Sequence, residues 1–70
     1  MTWWVVICRL EFDDEDSVYI VPAGTKAAAI ARAKAQRLED AVGEAAGDRA
    51  FFWNYAIACD TEPRIVGMNV

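Results

Sequence analysis

The chain has 70 residues, 56% of them hydrophobic and 26% charged, with a formal net charge of −4 and no histidine. Such a composition suits one small globular domain, residues 1–70, and leaves no room for a second. The missing histidine removes the usual neutral-pH general base, the Ser-His and Cys-His nucleophile pairs and most zinc and haem ligation. The acidic balance opposes direct nucleic-acid binding, which needs clustered positive charge; the bases Arg9, Lys26, Arg32, Lys34, Arg37, Arg49 and Arg64 are dispersed.

Thr2 to Phe12 reads as a first strand, its residues β-branched, aromatic or otherwise apolar until Arg9 and Glu11. Its even positions Trp4, Val6, Cys8, Leu10 and Phe12 form an unbroken apolar file that should face the core. The odd positions Trp3, Val5 and Ile7 give way to Arg9 and Glu11. Asp13 to Asp16 is a carboxylate run that favours a turn over strand pairing. A second strand, Ser17 to Val21, should stop at Pro22, which has no amide hydrogen for a ladder. The pair reads as an antiparallel hairpin.

Thr25 is placed to cap an alanine-rich helix from Lys26 to about Val42. On a 3.6-residue period, Ala27, Ile30, Ala31, Leu38, Ala41 and Val42 share one side, with Lys34 a misfit whose stem should follow the core edge. Arg37 is spaced to pair with Asp40. Such a thin helix needs aromatic filler beneath it, and Trp4, Phe12, Phe51, Trp53 and Tyr55 are available. Gly43, Gly47 and Asp48 end the helix. Ala50 to Cys59 then alternates as a third strand, and Arg64 to Val70 reads as a fourth after the turn at Asp60 to Pro63. The expected fold is α+β: a four-stranded antiparallel sheet with one helix on one face, in the order β-β-α-β-β.

One helix covers one side of such a sheet. Trp3, Val5 and Ile7, joined by Phe52, would then form an apolar patch on the other, and a homodimer stacking two sheets is the simplest cover. Cys8 and Cys59 read as reduced core thiols, with a bridge between them open if their strands are neighbours. The apolar stretch Trp3 to Leu10 is too short to span a membrane and lacks the flanks of a secretion signal, which places the chain in a cytoplasm.

No P-loop, dinucleotide fingerprint, HExxH or CxxC occurs. The run Asp13-Asp14-Glu15-Asp16 lacks the ligand spacing and central glycine of an EF-hand, so neither a metal nor another cofactor is expected. It reads either as a solvated turn or as a recognition element in which negative charge engages an arginine-lined groove. Glu39, Asp40 and Glu44 read as a solvated helix face.

The segment Val18-Tyr19-Ile20-Val21-Pro22-Ala23, followed by Thr25 and Lys26-Ala27-Ala28-Ala29-Ile30-Ala31-Arg32-Ala33-Lys34, resembles a style common in small phage and mobile-element proteins. It looks most like the small acidic anti-CRISPR proteins that inhibit type I CRISPR-Cas surveillance complexes. The resemblance covers residues 17 to 42 and carries no diagnostic motif. It implies a non-enzymatic inhibitor that occludes a nucleic-acid-binding surface of a basic protein partner such as a Cas subunit. The residues themselves offer Asp13, Asp14, Glu15 and Asp16 as the charged contact and Trp3 as a hydrophobic anchor. The alternative is a dimeric structural or regulatory interaction module held by Trp3, Val5, Ile7 and Phe52.

Overall fold

The computed structural model describes residues 2–41 and 48–64. Strand β1 (Thr2–Leu10), strand β2 (Ser17–Ala23), helix α1 (Lys26–Asp40) and strand β3 (Phe51–Cys59) follow in that order. The sheet is antiparallel, with β1 in the middle: β2-β1-β3. This corrects the expectation of four strands in the order β-β-α-β-β. Arg64, where the fourth was expected to begin, lies outside any strand, directly after Pro63, which has no N–H to donate. The rest of that segment, residues 65–70, falls outside the described residues, as do Val42, Gly43, Glu44 and Gly47.

Strand β1 ends two residues early, at Leu10, because Glu11 and Phe12 turn the chain. Strand β2 runs past its expected end through Pro22 to Ala23, with Pro22 opposite Trp3. It can do so because β2 is an edge strand, where a proline ring can point away from the ladder.

The core lies between β1 and α1. Val6, Cys8, Ala23, Ala29 and Ala33 are fully buried, with Trp4, Tyr19, Val21, Phe51 and Ala56 packed around them. Leu10 and Ala41 form a second buried cluster, joined to the first through Phe51. Alanine at positions 29 and 33 lets the helix sit close to the sheet, so one added methylene group there would meet packed neighbours. Thr25 caps the helix as expected, its hydroxyl accepting from the Ala28 N–H at 3.1 Å. At the other end the Ala41 N–H donates to the Arg37 carbonyl at 3.2 Å.

The helix is rotated about its axis by roughly a quarter turn from the expected face. Ala29, Ala33, Arg37 and Ala41, spaced by four, line the inner side, whereas Ala27, Ala31 and Lys34 are exposed. The reason is Arg37, which periodicity alone assigns to solvent and which instead pairs across the fold with Asp13. Asp40, expected to pair with Arg37, accepts hydrogen bonds from the Tyr19 hydroxyl at 2.8 Å and the Gln36 amide at 3.0 Å. The Tyr19 bond ties β2 to the last helical turn.

A bulge in β3 decides which aromatics are inside. Ile7 pairs with Tyr55 but Cys8 pairs with Trp53, so Asn54 is an extra residue with no partner on β1. Before it, Phe51 and Trp53 share the face of Leu10 and Cys8; after it, Tyr55, Ile57 and Cys59 share the face of Ile7, Val5 and Trp3. Of the five aromatics expected to fill the core, only Trp4 and Phe51 pack against it. Trp53 lies at the margin under the Lys26 ammonium, 4.7 Å from its ring centre, while Tyr55 faces outward and Phe12 stands in solvent.

Cys8 and Cys59 are free thiols on adjacent strands. Cys8 lies opposite Trp53 and Cys59 opposite Trp3, five register positions and roughly 16 Å apart, on opposite faces. An intrachain bridge is geometrically closed to them. Burial pushes the Cys8 thiol pKa up, keeping it protonated and unreactive.

Candidate functional site

The turn joining β1 to β2, residues 11–16, is built around one carboxylate. Asp13 accepts from the Leu10 N–H at 2.8 Å, from Arg37 Nε at 3.1 Å and Nη2 at 2.9 Å, and from Arg49 Nη2 at 2.7 Å. Its own N–H donates to the Leu10 carbonyl at 3.0 Å. Only 11% of its side chain is exposed, and the two guanidinium groups are nearly as buried. Hydrogen bonds from Arg37 and the Leu10 N–H, with Arg49, hold the Asp13 pKa well below the carboxylate range.

The loop before β3 is pinned to the same turn. Arg49 Nε donates to the Glu11 carbonyl at 2.7 Å, and the Glu11 N–H donates to the Ala50 carbonyl at 2.7 Å. At the far side of the turn Asn54 donates to the Asp16 carboxylate at 3.0 Å, so the bulge residue of β3 reaches the end of the acidic run. Helix, hairpin and third strand therefore all hold residues 11–16.

That bracing sustains an unfavourable backbone. Phe12 has φ 74°, in the left-handed region that costs a bulky residue about 1–2 kcal/mol, and the residue is 83% exposed, the most of any large hydrophobic among the described residues. A strained, solvent-facing aromatic on an over-determined turn is the kind of feature that functional sites retain. Asp14, Glu15 and Asp16 are exposed beside it. The sequence reading missed Phe12 because it continues the even apolar file of β1; the chain reverses one residue before that file would reach it.

The expected contact residues are thus divided. Asp13 is consumed inside the fold as a structural anchor, while Asp14, Glu15 and Asp16 line the turn. Trp3 lies at the opposite end of β1, half-buried on the sheet face turned away from the helix, so the structure does not bring it to the acidic turn. Val5, Ile7 and Phe52 share that outer face with Trp3. Around them stand Val18, Ile20, Pro22, Tyr55, Ile57 and Cys59, by their register with the odd residues of β1.

Among the described residues no group of three Cys, Asp or Glu side chains is placed to hold a metal ion. Among the same residues no helix is long and apolar enough to cross a membrane. The chain matches no protein-family profile, no curated protein and no solved structure.

Proposed function

We propose that this chain is a non-enzymatic protein-binding inhibitor that acts in a cytoplasm by inserting its braced turn into a partner. The observation that carries the reading is Phe12: an exposed phenyl, held out by a strained backbone and flanked by Asp14, Glu15 and Asp16. An aromatic anchor seated in a pocket supplies most of the energy of many interfaces, and the surrounding charge sets orientation and encounter rate. The complementary surface is an apolar pocket rimmed by arginine or lysine. A nucleic-acid-binding protein offers such a rim along its phosphate channel, and occupying it would exclude the nucleic acid.

The likeness to anti-CRISPR proteins supplies a concrete target, a type I Cas surveillance complex. The test is DNA binding by that purified complex with the chain added in excess. Wild-type chain should suppress DNA binding, and Phe12→Gly or the double change Asp14→Lys and Glu15→Lys should not, with each variant's fold checked by circular dichroism. DNA binding undiminished by the wild-type chain refutes this target. Suppression that survives both variants refutes the turn as the contact.

A further inference from the structure

The outer face of the sheet has no role in that reading, yet it is apolar across all three strands. Three strands carry a single charged residue between them, Arg9 at the turn end of β1. Val18, Phe52, Tyr55 and Ile57 are between 43% and 62% exposed, and Trp3, Val5, Ile7, Ile20, Pro22 and Cys59 are partly so. Together they present roughly 600 Å² or more of accessible surface, at the upper end of the 300–600 Å² patch found on typical monomers. Doubled, it reaches the ~1,200 Å² at which specific interfaces begin.

We propose that a second copy of this chain covers this face, the two sheets stacking about a twofold axis that lies midway between them, parallel to their planes and perpendicular to the strands. Area and charge both favour a second copy. A charge-free centre offers a charged partner nothing to select, whereas a flat apolar face is complementary to itself.

Charge also chooses the axis. An axis parallel to the strands would lay Arg9 over Arg9 and one acidic turn over the other. The perpendicular axis lays Arg9, which makes no ion pair among the described residues, over the far end of the partner, where Asp60 follows β3. It also keeps the two acidic turns at opposite ends of the dimer. Aligned stacking of twisted sheets is an ordinary packing mode. An interface near the lower size limit gives a dissociation constant on the order of micromolar.

The test is sedimentation velocity of the full chain from about 1 to 100 µM, a range that brackets such a constant. The wild-type chain should move from the 7.8 kDa monomer to twice that mass. Ile57→Lys, at a half-exposed position outside the core, should remain monomeric with an unchanged circular dichroism spectrum. Arg9→Asp should weaken the dimer by roughly fivefold to tenfold, and adding Asp60→Arg should restore it. A monomer throughout the range, a dimer indifferent to Ile57→Lys, or open-ended growth beyond the dimer would overturn the proposal. Failure of the second charge change to rescue the first would overturn the perpendicular axis. None of these readings involves Phe12, so the result is separable from the inhibitor assay.

Discussion

Replacing Asp13 by asparagine preserves the size of the side chain and removes one charge. In the folded chain that charge receives three donors from two arginines and one from the Leu10 amide. Asparagine would leave Arg37 and Arg49 in their largely buried positions with no carboxylate, and breaking such a pair from one side typically costs about 3–5 kcal/mol. Because 11% of the Asp13 side chain stays exposed and the amide oxygen can still accept, the lower end applies, about 3 kcal/mol. A domain of this length has a total stability of roughly 4–10 kcal/mol, so the variant should lose about 30% or more of it and melt roughly 12–24 °C lower. Urea unfolding followed by tryptophan fluorescence measures this directly. Arg37→Gln and Arg49→Gln should each cost less than Asp13→Asn, since either arginine alone still pairs the carboxylate. A loss below about 1 kcal/mol for Asp13→Asn would mean that solvent screens the cluster as it does a surface pair, and the account of the braced turn would fail.

Phe12→Gly should stabilise the fold by roughly 0.5–1 kcal/mol, since relief of about 1–2 kcal/mol of left-handed strain outweighs glycine's entropic cost of about 0.5–1 kcal/mol and no core contact is lost; any loss of stability in urea melts contradicts the assigned strain. Below about pH 4, the ordinary range for an unfolded aspartate, stability should fall steadily as the depressed Asp13 is titrated. Its contribution is complete above that pH, and Asp13→Asn should flatten this acid limb. At the alkaline end, burial and the bond to Asp40 push the Tyr19 pKa up to about 12, so its contribution is complete below the ordinary tyrosine value near pH 10 and is lost as pH rises through the folded value. Tyr19→Phe should remove the late-titrating component of tyrosinate absorbance. Ala33→Leu should cost about 1–3 kcal/mol by overpacking the contact between helix and sheet, measured by thermal melting.

The features legible in the sequence were those set by neighbouring residues. Thr25 followed by an alanine-rich stretch marks the helix start through cap chemistry and propensity alone, and the hairpin follows from two β-rich runs around a carboxylate turn. The even file of β1 from Trp4 to Leu10 indicates the core side because it stays apolar while the odd file gives way to Arg9 and Glu11. The features that were not legible depend on partners distant in the chain. Arg37 turns inward only because Asp13, twenty-four residues earlier, and Arg49 share one site. The acidic run reads as four equivalent charges, although the fold gives Asp13 a different task from its neighbours. Asn54 leaves the alternation of β3 intact in writing, and only the register against β1 shows that the phase has slipped. Pro22 reads as a terminator until the edge position of β2 removes the penalty.

That slip allots the aromatic stock of a single strand to two purposes. Had alternation run unbroken from Phe51 to Cys59, every ring at an odd position would compete for the shallow space beneath the alanines, and the reverse side would carry mainly small side chains. With one supernumerary amide residue, the leading half of β3 supplies cohesion and the trailing half supplies a contact surface. Deleting Asn54 would therefore do more than shorten a strand: it would exchange inside for outside across half its length, and a protein this small has no spare volume in which to absorb the trade.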